Sequence, residues 1–141
     1  MLAVFFIAAV LVAITVAVHA AGLGVVLSHL VESHAEPPTR AWPITLLLIR
    51  VALLLILIHG VEISVWALFY RWEGCLPDAE MAFYFSGVTY TTIGYGDVVL
   101  TKPWRMLGPV EGVTGILMCG LSAGLFFATV TRIYAPRLRG E

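Results

Sequence analysis

Charge is what this chain has least of. Only 12% of its 141 residues are Asp, Glu, Lys or Arg, against roughly a quarter in a soluble domain. That scarcity excludes an ordinary water-soluble fold. The net charge is −1, so nothing points to nucleic acid or to an acidic substrate. Cysteine is also rare. Cys75 and Cys119 make no metal-ligand spacing and no disulfide framework. Cys75 falls in a polar connection and Cys119 in an apolar run, so the two should lie at different membrane depths, unbridged. Basic residues are missing altogether from the first twenty positions.

What the chain has in excess is apolar residues, 60% of the total. They gather in three runs, at about 2–30, 44–70 and 104–134. Each exceeds the roughly 20 residues that cross a hydrocarbon core. A backbone in lipid must satisfy its own polar groups, so each run is read as an α-helix. The first run has a rival reading as a signal peptide, because Val18-His19-Ala20 resembles a small-residue cleavage site. It lacks a basic leader and exceeds the roughly 7–15 apolar residues of such signals. It is therefore read as an N-terminal transmembrane helix occupying 1–31.

Polar connections separate the runs. Residues 32–43 contain Pro37-Pro38, which stops one helix before the next. Residues 71–78 form a second connection. A shorter apolar run then covers 79–91, too short to span and suited to a re-entrant helix. Asp78 can cap its start, and Glu80 suits its positive end. Gly94 and Gly96 terminate it.

Aromatics and basic residues set the expected orientation. Trp66, Tyr70, Trp72 and Trp104 are expected at one membrane interface, Trp42 and Tyr134 at the other. Arg132, Arg137 and Arg139 lie within a few positions of the end of the third run, which makes that end cytoplasmic. Three crossings then put the N-terminus and residues 71–103 outside. Arg40 and Arg50 give weak support to a cytoplasmic 32–43 loop.

The run Tyr90-Thr91-Thr92-Ile93-Gly94-Tyr95-Gly96-Asp97 carries the chemistry. An ion pathway must replace the hydration shell of its ion, and rings of backbone carbonyls do this. Gly94 and Gly96 permit the required backbone at no steric cost. Thr92 can add a hydroxyl oxygen, while Ile93 and Tyr95 would point outward and brace the loop. The helix before it aims its partly negative end at the cation. One chain carries one loop, so a closed pore needs several chains.

With that octapeptide, Trp104 and a glycine-bearing last helix, about two thirds of the chain resembles the pore domain of the tetrameric potassium channels. The resemblance implies an all-α membrane protein with three transmembrane helices, a re-entrant pore helix and a filter loop, assembled as a homotetramer in the bilayer. The pore domain would occupy 44–134, with outer helix 44–70, pore helix 79–91, filter 92–96 and inner helix 104–134. It implies K+ bound at Thr92, Ile93, Gly94, Tyr95 and Gly96, with no organic cofactor and no enzyme activity. Ile93 stands where valine is usual, a mild departure. Asp97 matches the acidic residue that usually follows the filter.

Two departures matter more. The extra N-terminal helix has no counterpart in the minimal two-helix channels. It has no periodic arginines, so it is no ordinary voltage sensor, and packing around the outer helix is its expected role. Few residues follow the third run, leaving no room for a cytoplasmic ligand-binding domain, which a regulatory subunit could supply.

Several residues invite a gating or supporting role. Gly115 and Gly120 match the family's glycine spacing near a gating hinge, with close helix packing through Gly120 and Gly124 as the alternative. Pro109 should kink the inner helix unless the helix starts there. Glu62 lies roughly 12 Å below Tyr70 and Glu111 roughly 10 Å below Trp104, at about 1.5 Å per residue. Both reach filter depth, and His59 shares a face with Glu62. Intramembrane ionisable groups are functional candidates. Structural hydrogen bonding to a neighbour or to the filter backbone is the competing reading. The histidines, His19 and His29 included, read as packed side chains, and no metal site is expected of them. A less selective cation channel and an ion-binding subunit of a larger transport complex are the rival functions.

Overall fold

The apolar runs become helices because lipid offers no partner for a free amide. The computed structural model describes residues 2–32 and 41–138. In chain order these form α1 (Leu2–Glu32), α2 (Ala41–Trp72), α3 (Ala79–Tyr90), a 3-10 turn (Trp104–Met106) and α4 (Leu107–Leu138). No strand occurs among the described residues. The helices α1, α2 and α4 are each long and apolar enough to cross a membrane. The 12-residue α3 is not, and the chain is an all-α membrane protein as expected. Met1, Pro37-Pro38, Arg40 and Arg139 lie outside the described residues, as does the side chain of Arg137.

Local chemistry fixes the short helix. Asp78 takes an extended backbone, and its carboxylate accepts the Met81 N–H at 2.8 Å. Glu80 stands in the first turn, where the helix dipole favours an anion. At the other end Pro109 is the third residue of α4. A proline there removes no intrahelical hydrogen bond, so the helix starts at this point and the expected kink does not arise.

Two apolar cores stack along the bundle. The upper one joins Val4, Ala8 and Leu11 of α1 to Trp66, Ala67 and Tyr70 of α2, with Ala82, Phe85 and Leu107 packed below the loop. The lower one joins Val26 of α1 to Val51 and Leu55, with Leu125 and Phe126 of α4 against them. The N-terminal end of α1 therefore lies at the same end as the 71–103 connection. Helix α3 wedges between α2 and α4, and α1 lies along both long helices.

Polar side chains set the register of α1 on α2. The Trp66 indole donates to Thr15 Oγ1 at 3.0 Å. Four residues on along α1 and four back along α2, His19 Nδ1 meets Glu62 Oε1 at 2.8 Å. Trp66 and Tyr70 are fully buried, packed with Val4, Ala8 and Leu11 of α1, so ordinary helix packing accounts for both. Trp72 and Trp42 stay exposed.

Candidate pore loop and its carboxylate supports

The loop begins where α3 ends. Thr91 caps the helix, its N–H bonding to the Gly87 carbonyl at 3.1 Å. The Thr92 N–H bonds to Thr89 O and the Gly94 N–H reaches back to Val88 O, each at 3.0 Å. The loop is thus tied to the C-terminal turn of its own pore helix. Thr92, Gly94 and Gly96 then adopt positive φ, at 61°, 54° and 80°. Ile93 and Tyr95 between them do not. In an ordinary strand successive carbonyls point to opposite sides. Alternating the handedness at every second residue turns them toward one side, the arrangement a carbonyl-lined pathway needs. Gly94 and Gly96 tolerate that conformation freely. Thr92 does not, and its two-residue offset from Gly94 was the part of the pattern hidden in the sequence.

Within one chain the loop is bare. Residues 91–97 are all exposed, with Ile93 at 55% and Tyr95 at 70%. A cleft of about 340 Å³ opens beside it, lined by Gly94, Gly96, Val88 and Met106 among others. The loop thus presents exposed apolar side chains next to an open cleft.

Asp97 closes the loop. Its carboxylate accepts the Tyr84 hydroxyl at 2.7 Å and its own neighbour's amide, Val98 N–H, at 3.1 Å. The Tyr84 hydrogen bond holds the Asp97 carboxyl below its ordinary value. It therefore stays ionised at neutral pH and puts a negative charge at the outer end of the loop, where a cation gains from it.

Two buried carboxylates hold the pore helix from opposite sides. Glu111 of α4 accepts the Tyr70 hydroxyl at 2.8 Å and lies 2.5 Å from Ser86 Oγ of α3. Ser86 also reaches the Ile63 carbonyl of α2 at 2.9 Å. One turn further along α3, the Tyr90 hydroxyl donates to Glu62 of α2. His59 Nδ1 stands 3.1 Å from Glu62 Oε2 and 3.0 Å from Tyr90 Oη. Glu62 and Glu111 are both completely buried.

The carboxyls thus grip α3 through Tyr90 and Ser86, and Glu62 meets a pore-helix side chain. Sequence reasoning missed His19, which joins Glu62 across 43 positions. Thr15 and His19 form an i, i+4 polar pair in the otherwise apolar first 27 residues, and that pair was the available signal.

The support makes a prediction. Glu111→Ala strands the Tyr70 hydroxyl and empties a buried site, a loss of about 2–3 kcal/mol. Glu111→Gln keeps an acceptor and should lose clearly less. Thermal melting in detergent reads both. Two variants that melt like the parent would remove the supporting role.

The glycines of α4 differ among themselves. A Cβ on Gly115 would sit 2.0 Å from the Tyr90 carbonyl oxygen. Gly120 and Gly124 have nothing within 4 Å. Close approach therefore belongs to Gly115, and within one chain the Gly120/Gly124 pair touches no helix. Cys75 and Cys119 are free thiols, and burial pushes the Cys75 thiol up to about 11.

Comparison with known proteins agrees with this architecture. A family model described as an ion channel matches residues 53–132, from within α2 through the loop to the end of α4. No curated protein and no solved structure matches the chain.

Proposed function

Because the chain belongs to the ion-channel family of potassium-channel type, with two membrane helices around a pore loop, we propose that it is a potassium-selective channel. Four copies surround one axis, and residues 92–96 of each form the filter. The observation that carries this reading is the positive φ at Thr92, Gly94 and Gly96 with negative φ between. It supports a column of carbonyl oxygens from Thr92, Ile93, Gly94 and Tyr95, and Gly96 closes it. K+ passes down its gradient, with no reaction catalysed. The N-terminus and pore loop face outward and the end of α4 faces the cytoplasm. That orientation rests on Arg132, Arg137 and Arg139 near the C-terminal end of the sequence and on the start of α1 lying beside the loop.

The mechanism follows from elementary electrostatics. An ion sheds water only if the protein replaces it without reorganising. The Gly94 tether to Val88 and the two carboxylate grips on α3 keep the loop from collapsing inward. The ionised Asp97 concentrates cations at the mouth.

Purified protein in liposomes tests the proposal. Potassium flux should appear without any partner, sodium replacement should suppress it at least tenfold, and cross-linking should stop at four chains. Equal potassium and sodium flux would mean a non-selective cation channel. No flux without a partner would mean a subunit of a larger complex.

A further inference from the structure

The cluster around Glu62 exceeds what holding a pore helix requires. Four side chains from three helices converge there: His19 from α1, His59 and Glu62 from α2, and Tyr90 from α3. His19 and Glu62 are buried, and His59 keeps 18% of its side chain exposed. One donor atom each from His19, His59 and Glu62 lies within 4.8 Å of the others. The near pairs are separated by 2.8 Å and 3.1 Å, with Tyr90 Oη 3.0 Å from His59 Nδ1.

Those spacings are close to the edge of a metal polyhedron. Ligands about 2.0–2.1 Å from a tetrahedral zinc lie roughly 3.3 Å apart. The two histidine–carboxylate pairs need open by only a few tenths of an ångström, and the widest separation in the set, within 4.8 Å, closes by about 1.5 Å at most to reach that edge. The set is two imidazoles and a carboxylate, which suits zinc and its neighbours and not the hard cations that prefer all-oxygen shells. Two further observations point to a cation. Glu62 pairs with no Lys or Arg among the described residues, its partners being His19, His59 and the Tyr90 hydroxyl, and an anion in low dielectric is costly without an opposite charge. His19 Nε2 is buried with no hydrogen-bond partner. Nothing on that side of the ring is tied to a neighbour, so a metal at Nδ1 has only the proton now shared with Glu62 to displace.

We propose that His19, His59 and Glu62 bind a Zn2+-like dication, with Tyr90 Oη beside the fourth position, so that the metal bolts α1 and α2 to the last turn of α3. The site gives the extra N-terminal helix a task beyond packing. Through Tyr90 it reaches the residue two positions before Thr92.

Chelator-treated full-length protein in detergent, titrated with Zn2+ by calorimetry and with Co2+ by visible absorption, tests this. About one Zn2+ per chain is expected, with a Co2+ band of the intensity of a four-coordinate site. His19→Ala and His59→Gln should each weaken binding about 100-fold, while His29→Ala, on an exposed position of α1, leaves it unchanged. Melting in chelator alone shows which variants are folded, and His59→Gln, the least buried change, keeps the test valid if His19→Ala is not. Well under one ion per chain, or folded His19 and His59 variants that bind as the parent does, would overturn the site. The readout needs no ion flux, so its failure is separate from a failure of conduction.

Discussion

Replacing Gly96 by alanine is expected to abolish potassium flux in liposomes, a loss of at least 100-fold. Gly96 sits at φ 80°, where a Cβ costs about 1–2 kcal/mol. In a four-chain pore the same cost recurs around one ring, about 4–8 kcal/mol in all. The loop escapes it by turning a peptide, and a turned peptide points its carbonyl away from the ion. Gly94→Ala, at φ 54°, should behave alike. Gly74→Ala is the control. Its φ is 66°, with open space around it, but it lies in the connection between α2 and α3. It carries the same local strain and should still conduct. If Gly96→Ala passes potassium over sodium like the parent, residues 92–96 are not the filter.

The second large effect is expected at Gly115. Its missing Cβ would meet Tyr90 at 2.0 Å from the carbonyl oxygen, 2.8 Å from the carbonyl carbon and 3.0 Å from the ring. Two of those atoms are backbone and cannot swing aside. Gly115→Ala must push α4 off the end of α3, at about 3 kcal/mol or more. The melting temperature should fall by roughly 10 °C. Gly120→Ala, with nothing near its Cβ inside the chain, separates packing from hinging. A hinge role predicts altered opening at Gly120 with unchanged melting. A Gly115→Ala protein as stable as its parent would contradict the contact with Tyr90.

Much of this architecture was legible because lipid simplifies the reading. Long, mostly apolar runs had to be helices, and their lengths fixed the spans within a few positions. Asp78 announced the start of α3 by ordinary capping chemistry, and the glycine spacing of 94 and 96 marked the loop. What stayed hidden was which side of each helix meets protein. Helix α1 is apolar over most of its length, and apart from Thr15 and His19 nothing in its pattern said that Val4, Ala8 and Leu11 face α2. Trp66 and Tyr70 looked interfacial for the same reason, since a buried aromatic and a membrane-level aromatic have the same composition. The grip of Glu62 on Tyr90 and of Glu111 on Ser86 depends on rotation about helix axes, and depth along those axes was all that counting residues could supply. His19 needed both the antiparallel pairing of α1 and its register.

The bareness of the loop in a single chain bears on how such a protein behaves while it is being made. Ile93 and Tyr95 have no cover of their own within one chain. If four copies form the pore as proposed, a newly inserted subunit would hold its ion ligands but no enclosed path. Membranes would stay sealed until partners meet, and permeability would rise with a high power of subunit density instead of in proportion to it. Where intact and loop-damaged copies were made together, most such assemblies would contain at least one damaged member, and the defect would be dominant.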